Sequence, residues 1–240
     1  MIRTVPETGS TNADLLDALR GDERVAEGDW LVADRQTAGR GRHGREWFDG
    51  VGNFMGSTVV RIGPGDPAPS SLALVMGLAL YEAVLSVVPD PAPLKLKWPN
   101  DLVFGTAKLA GILLEMRGET VVAGVGVNLG QAPVVEGRET IALSQLTAPP
   151  DRDTFAHSLA KSLDIELERW RTYGIEPLVR RWMSCGHALG TFLTVNAPGE
   201  DPLMGTFDGL RNDGALQLRL ADGTRRVIHA GDVFFARKED

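Results

Sequence analysis

The sequence predicts an α+β protein in which a large mixed part is followed by a small β-barrel. Helical and strand patterns alternate over residues 1–185, and the composition changes after Cys185. Short apolar runs separated by turn residues then fill residues 186–240. A chain of 240 residues is long enough for one large domain and a small companion. We therefore expect a domain boundary near Gly186.

Hydrophobic spacing predicts the elements of the first part. Thr11 is expected to cap a helix, because Asp14 lies three residues on, as in a capping box. The strongest helical pattern, over residues 67–88, opens with proline and serine. Residues 34–52 are rich in glycine and arginine, have little apolar content and are expected to form a loop. Further helices are predicted at 151–171 and 177–183, and strands at 2–5, 30–33, 53–61, 94–98, 108–117 and 120–129.

For residues 186–240 the sequence predicts only strands and turns. Asn212-Asp213-Gly214 and Asp222-Gly223 are strong turn signals between short apolar runs. Strands are predicted at 192–195, 204–210, 215–220, 225–229 and 233–236. About fifty residues of this kind favour a small barrel.

Charge and composition exclude several classes of protein. The formal net charge is −7, which argues against a surface that binds nucleic acid as a whole. The single cysteine, Cys185, fits a reducing cytoplasm. The N-terminus has no signal-peptide pattern, and the longest apolar run, residues 72–88, is too short and too polar to span a bilayer. We therefore expect a cytoplasmic protein with no membrane or nucleic-acid partner.

A basic, glycine-rich segment stands out in this acidic chain. Residues 35–45 hold four arginines and three glycines. Glycine lets backbone N–H groups approach an anion, and arginine supplies forked donors for phosphate or carboxylate. The segment either cradles a small polyanion or is a basic arm for nucleic acid, and a solvated flexible loop is the plainer alternative. It is not a Walker loop, because the closing lysine and hydroxyl are missing.

Three further segments carry polar groups beside predicted strands. In residues 97–101, Trp98 offers a flat surface for a ring, and Asn100 and Asp101 follow a strand end; a core tryptophan with an Asx turn is the alternative. Lys108 begins an apolar strand, where its ammonium group either meets an anion or reaches solvent. Glycines alternate in residues 124–130, which indicates close approach by a ligand or another backbone, or tight sheet packing.

Together, and in this order, these segments resemble the biotin–protein ligase family over essentially the whole chain. The matching segments are SerThrAsn at 10–12, GRGRHG at 39–44, KWPND at 97–101, KLAGIL at 108–113 and GVGVNLG at 124–130. The resemblance implies a class II synthetase-like catalytic domain over residues 1–185, with a mixed sheet and flanking helices. It also implies a Src-homology-3-like barrel over residues 186–240, and an activity that joins biotin to a protein lysine with ATP and Mg²⁺.

The resemblance also implies roles for individual residues. The biotin ureido ring is expected to contact Ser10, Thr11, Asn12 and Gln36. The biotin carboxylate and the adenylate phosphate are expected to contact Arg40, Gly41, Arg42 and Lys108, of which Arg40, Arg42 and Lys108 carry the catalysis. Trp47 is expected to stack on adenine with Asn128 nearby, and Asn100 and Asp101 are expected to help order Mg²⁺.

The implied partner is the biotin carboxyl carrier domain of an acyl-CoA or pyruvate carboxylase. The sequence leaves open whether the protein forms a homodimer. Two features depart from the family pattern. SerThrAsn already begins at Ser10, so we expect no helix-turn-helix domain before it and hence a monofunctional ligase. Met55-Gly56 replaces a bulkier apolar pair expected in the wall of the biotin pocket.

Two other functions compete with this interpretation. A lipoate ligase or octanoyl transferase shares the implied fold, but an acyl-transfer enzyme needs a cysteine near its lysine, and Cys185 lies outside the motif cluster. A nucleic-acid-binding regulator would use the basic segment at 35–45, but the acidic composition opposes it.

Overall fold

The computed structural model describes residues 1–21 and 23–235 and contains two sheets. The first sheet has seven strands: β1 (Ile2–Thr8), β2 (Trp30–Gln36), β3 (Phe54–Arg61), β4 (Leu94–Lys97), β5 (Asp101–Phe104), β6 (Ala107–Arg117) and β7 (Thr120–Val127). They lie in the order β1-β2-β3-β7-β6-β5-β4. The pair β1–β2 is parallel and every other neighbouring pair is antiparallel, so the sheet is mixed.

Helices cover the two faces of this sheet unequally. One face packs on α2 (Leu72–Leu85) and α3 (Arg152–Tyr173), and α2 is buried on nearly all sides because it is apolar all round. The opposite face is covered by the short α1 (Thr11–Arg20), which makes a small apolar cluster with Leu31, Val59 and Val122. No α-helix of the described residues covers the rest of that face, and this is where the candidate site lies.

Several element boundaries differ from the prediction. Thr11 is the first residue of α1 rather than its cap, and Ser10 occupies the N-cap position. The strand β5 was not predicted, because only four residues form it directly after Trp98-Pro99-Asn100. The predicted helix at 67–88 begins instead with a 3₁₀ turn at Pro69–Ser71 and continues as α2.

The second sheet is antiparallel and follows α4 (Ile175–Cys185). Its strands are β8 (Phe192–Asn196), β9 (Leu203–Leu210), β10 (Leu216–Arg219), β11 (Arg225–Ile228) and β12 (Asp232–Phe235), in the order β11-β10-β9-β8-β12. These five strands match the five that the sequence predicts; Ala236, the predicted end of the last strand, lies outside the described residues. The α+β class is therefore confirmed. Within residues 1–21 and 23–235, no helix combines the length and apolarity that a membrane crossing requires.

One aromatic cluster joins α4 to the second sheet. The ring of His187 packs against Trp182, Phe207 and Phe235, with centroid distances of 5.7, 4.2 and 5.9 Å. His187 is only 4% exposed, and burial lowers the pKa of its imidazole from 6.5 to about 4. The imidazole is therefore neutral at pH 7 and packs as an aromatic ring.

This burial predicts an acid-sensitive stability. The unfolded chain binds a proton at His187 below about pH 6.5, whereas the folded chain binds it only near pH 4. The stabilisation is complete above pH 6.5 and should fall by about 3 kcal/mol as the pH drops to about 4. Urea unfolding of the parent and of His187→Phe at a series of pH values measures this. The difference between the two should follow that window, and identical pH profiles would contradict the assignment.

Candidate functional site

A single cavity of about 780 Å³ lies on the helix-free face of the first sheet. The start of α1, the loop after β2, the KWPND segment and the start of β12 surround it. It brings together all twelve residues that the resemblance singled out: Ser10, Thr11, Asn12, Gln36, Arg40, Gly41, Arg42, Trp47, Asn100, Asp101, Lys108 and Asn128. Residues up to 118 positions apart in the sequence therefore share one surface.

The cavity is cationic although the chain is acidic. Six cationic side chains line it against four carboxylates, in a chain whose formal net charge is −7. The cations are Arg40, Arg42, Arg45, Lys97, Lys108 and Arg138. A concave surface with this balance attracts anionic ligands.

One part of the wall is a buried network of polar side chains. The backbone N–H of Thr11 donates to Oε1 of Gln36 at 2.7 Å. The hydroxyls of Thr11 and Ser57 lie 2.6 Å apart, and Ser57 donates to Oδ1 of Asn12 at 2.6 Å. All four side chains are less than 9% exposed. The N-cap position of Ser10 turns the chain so that Thr11 and Asn12 point at the sheet, and neither caps the helix.

The alternating glycines of β7 make room for side chains of this site. A Cβ on Gly124 would lie 2.3 Å from Oδ1 of Asn12, and a Cβ on Gly126 would lie 2.2 Å from the indole of Trp47. The groups that approach these glycines are side chains of the same chain, neither a ligand nor another backbone as the sequence suggested. On the neighbouring β3, Gly56 lines the cavity, and Met55 is fully buried and pairs in register with Gly126.

Asp101 lies between two lysines at one end of the cavity. Nζ of Lys108 donates to Oδ1 of Asp101 at 2.6 Å, and Nζ of Lys97 lies 3.8 Å from Oδ2. Burial lowers the pKa of Lys97, and the charge of Asp101 opposes that shift. In the antiparallel pair β5–β6, Asp101 lies opposite Gly111, and the side chain of Lys108 extends over Gly111 to reach that carboxylate. Asp101 holds both ammonium groups, and both lysines line the cavity.

The basic segment at residues 35–45 forms hydrogen bonds and an ion pair with both the first part of the chain and the second sheet. Arg42 donates to Oδ1 of Asn100 at 2.9 Å and to the carbonyl of Gly231 at 3.0 Å, and Arg45 pairs with Asp232. Burial lowers the pKa of Arg42. Burial alone would raise the pKa of Asp232, but the hydrogen bond from Arg45 and nearby positive charges lower it overall. The start of β12 thus forms one rim of the cavity.

Two buried polar atoms in the cavity wall have no protein partner among the described residues. They are Nε1 of Trp47 and Oδ1 of Asn128. Nδ2 of Asn128 donates to the carbonyl of Ile141 at 3.2 Å, which orients the amide. The indole of Trp47 lies 5.6 Å from Nζ of Lys108. One donor and one acceptor are therefore left for a ligand, while the exposed Arg40 makes no ion pair within the described residues.

The residues predicted to order Mg²⁺ are already engaged with protein groups. Both oxygens of Asp101 face ammonium groups, and Asn100 accepts from Arg42 and donates to the carbonyl of Ile112. Among the described residues, no group of three or more histidine, cysteine, aspartate or glutamate side chains is placed to hold a metal. These side chains do not by themselves fit a resident ion, and the metal role of Asn100 and Asp101 stays a prediction.

Sequence reasoning missed several residues of the cavity. Ser57 and Thr58 are polar residues within the buried strand β3, and this pair was a local signal of a polar function that the prediction did not use. Lys97 stood within the KWPND motif without an assigned role. Arg45 was in the basic segment, but nothing local in the sequence pointed to Asp232, because its place at the rim follows from the packing of the second sheet.

The chain matches known families along most of its length. Residues 6–131 match the biotin/lipoate A/B protein ligase family, and residues 194–236 match the biotin protein ligase C terminal domain. A biotin–[acetyl-CoA-carboxylase] ligase of Paracoccus denitrificans is 38% identical, with 95% of this chain and 98% of the relative covered. A ligase of the same name from Mycobacterium tuberculosis is 37% identical, with 97% and 88% covered.

The fold agrees with these sequence relationships. A biotin protein ligase from Aquifex aeolicus, solved in complex with biotin and ATP, superposes with a TM-score of 0.84 at 27% identity. The superposition covers 99% of this chain and 99% of that chain, so both sheets and the helices between them correspond. Sequence and structure agree on this relationship: the chain belongs to the biotin/lipoate A/B protein ligase family.

Proposed function

We propose that the protein is a biotin–protein ligase, which converts biotin and ATP to biotinyl-AMP and then transfers biotin to a lysine of a carrier protein. One observation carries the proposal: a single cavity joins a neutral, hydrogen-bonding pocket to a cationic end. Its volume of about 780 Å³ lies within the ordinary range for small-molecule sites. Relatives that match almost the whole chain bear the name of this activity.

The neutral end suits the ureido ring of biotin. That ring carries two N–H donors and one carbonyl acceptor and no charge. Thr11, Asn12 and Gln36 present hydroxyl and amide groups in a wall that is already buried, so little ordering is needed when the ring binds. Ser10, at the N-cap, lines the same end.

The cationic end suits the first chemical step. A carboxylate oxygen of biotin attacks the α-phosphorus of ATP, and the bond to the β-phosphate breaks as pyrophosphate leaves. Both reactants are anions, so the protein must neutralise and align them. Arg40, Arg42 and Lys108 supply this charge, and Mg²⁺ bound to the ATP phosphates would add to it. The backbone N–H of Gly41 donates to the carbonyl of Arg45 at 2.7 Å, so this turn has to open before that N–H can meet an anion. Trp47 and Asn128 hold the adenine.

The second step needs no nucleophile from the protein. The neutral amine of the carrier lysine attacks the carbonyl carbon of biotinyl-AMP, and a C–N bond forms. The bond from that carbon to the phosphate oxygen breaks, AMP leaves with the electron pair, and the amine releases its proton. Cys185 is half-buried and lies outside the cavity wall, in keeping with a reaction that forms no covalent enzyme intermediate.

The acceptor is the biotin carboxyl carrier domain of acetyl-CoA carboxylase, the enzyme that the relatives' names print. Carrier domains of other acyl-CoA and pyruvate carboxylases are further acceptors, and the reaction takes place in the cytoplasm. Residues 1–185 form the catalytic domain, and residues 186–240 form the barrel, which contributes the Gly231–Asp232 rim. The net charge of −7 favours a protein that does not bind nucleic acid.

A lipoate ligase is the second candidate, because the family model covers both activities. The dithiolane ring of lipoate is apolar and offers no hydrogen-bonding group to Thr11, Asn12 and Gln36, which line the cavity. The polar wall therefore favours biotin.

Transfer to a carrier domain tests the proposal. The protein is incubated with MgATP, a purified apo biotin carboxyl carrier domain and either biotin or lipoate, and the carrier is followed by mass spectrometry. We expect the mass of one biotinyl group on one lysine, and no product when that lysine is arginine. Modification by lipoate but not by biotin would contradict the proposal.

A further inference from the structure

Glu115 lies behind the polar end of the cavity, outside its wall, and contacts one of the predicted biotin residues. It is on β6, and its Oε2 accepts a hydrogen bond from Nδ2 of Asn12 at 2.8 Å. We propose that Glu115 is a positioning residue that fixes the direction of every hydrogen bond in the network and so makes Thr11 an acceptor toward the substrate. The inference rests on the proposed function.

The direction follows from counting protons. A carboxylate only accepts, so Asn12 must turn its NH₂ group to Glu115 and its oxygen to Ser57. The hydroxyl of Ser57 then donates its single proton to Oδ1 of Asn12. Because Ser57 has no second proton, its 2.6 Å contact with Thr11 is made by the proton of Thr11.

Thr11 therefore has no proton left to donate. Its hydroxyl also lies 3.1 Å from Oε1 of Gln36, but the shorter contact with Ser57 takes the proton, and Oε1 already accepts the backbone N–H of Thr11. The Thr11 oxygen presents lone pairs alone. It selects a ligand that offers an N–H at this point, as a ureido ring does, and rejects one that offers a lone pair.

The direction of these hydrogen bonds can reverse unless the last group in the series is one that can only accept. A neutral amide at position 115 donates as well as accepts, so Asn12 could turn over and both following bonds, Asn12–Ser57 and Ser57–Thr11, could reverse. The proton of Thr11 would then be released, either to Oε1 of Gln36 at 3.1 Å or to a lone pair of the ligand, so Thr11 would no longer act only as an acceptor. The charge of Glu115 excludes this second arrangement, since a carboxylate has no proton to give.

Two isosteric analogues test the inference. They are the cyclic carbamates in which a ring oxygen replaces one or the other ureido N–H of biotin. For the parent, kcat/KM for at least one analogue should lie roughly a hundredfold or more below that for biotin, because a buried acceptor would face a lone pair. In Glu115→Gln this discrimination should shrink about tenfold, with a raised KM for biotin and a kcat within about twofold of the parent.

Control variants separate an effect on the direction of the hydrogen bonds from a general loss of charge or of folding stability. Glu119→Gln removes the same charge from the exposed turn of the same hairpin and should leave the discrimination unchanged. Ser57→Ala cuts the network at its centre and should also relax the discrimination, and combining it with Glu115→Gln should add little, because both act on one chain of bonds. Thermal unfolding of each variant checks that the fold survives.

The outcomes are distinguishable. If the parent discriminates between biotin and both carbamates but Glu115→Gln and Ser57→Ala discriminate equally well, the inference is overturned while the proposed function stands. If the parent turns over lipoate and not biotin, the proposed function fails first. A fall in kcat alone, with the discrimination unchanged, would also overturn the positioning role.

Discussion

Adenylate formation by Lys108→Ala is expected to be slower by roughly a hundredfold or more, as is typical when one pre-organised donor to a developing charge is removed. Lys108 is 18% exposed at its side chain and holds its ammonium group at the cavity wall through Asp101. Its loss leaves the repulsion between the biotin carboxylate and the ATP phosphates without one of its main counter-charges. The rate of biotin-dependent pyrophosphate release in single turnovers measures the effect.

The fold should survive this change. Without Lys108, the carboxylate of Asp101 still has an ionic partner, because Nζ of Lys97 lies 3.8 Å from its Oδ2. Lys95→Ala, on β4 at the edge of the same sheet and outside the cavity wall, removes the same charge and should retain the parent rate. Near-parental adenylation by Lys108→Ala would show that this ammonium group does not act on the reacting anions.

Gly124→Ala is expected to raise the KM for biotin by roughly a hundredfold while the affinity for ATP changes little. The added Cβ would lie 2.3 Å from Oδ1 of Asn12, so the short, buried side chain of Asn12 has to leave its place. It then loses both Ser57 and Glu115 as partners. Two buried hydrogen bonds at about 1–1.5 kcal/mol each correspond to a change of this size.

Separate titrations with the two ligands show whether the variant weakens the binding of biotin but not that of ATP. Isothermal calorimetry with biotin and with a non-hydrolysable ATP analogue gives the two affinities independently. Gly65→Ala is the matched control, because a Cβ there meets no other atom within 4 Å. Equal weakening of both ligands would indicate general distortion of the sheet, and an unchanged biotin affinity would mean that Asn12 does not bind the ring.

The elements that the sequence predicts well are those with a clear period. The strands at 108–117 and 120–129 and the helix at 151–171 agree with β6, β7 and α3 to within a few residues. Their apolar residues repeat over enough positions to be read locally. The four residues of β5 are too few for any period, and that strand is fixed by pairing with β4 and β6 on its two sides.

The motif residues were predictable, but the contacts that orient them were not. Asn12 and Glu115 are 103 positions apart, and Arg42 and Gly231 are 189 apart. Such pairs depend on the register of strands and on the packing of the second sheet, and no local pattern encodes them. The capping prediction for Thr11 failed for the same reason, because its hydroxyl bonds to Ser57 on β3 rather than to its own helix.

Biotinyl-AMP is the intermediate that the proposed reaction requires, so its detection shows whether the protein activates biotin. The protein is mixed with biotin and MgATP in the absence of a carrier, quenched in acid and assayed by mass spectrometry for biotinyl-AMP, with pyrophosphate measured in parallel. We expect about one equivalent of biotinyl-AMP per site, pyrophosphate release that requires biotin, and consumption of the adenylate when a carrier domain is added. Release of pyrophosphate without biotin, or with lipoate in its place, would contradict this expectation.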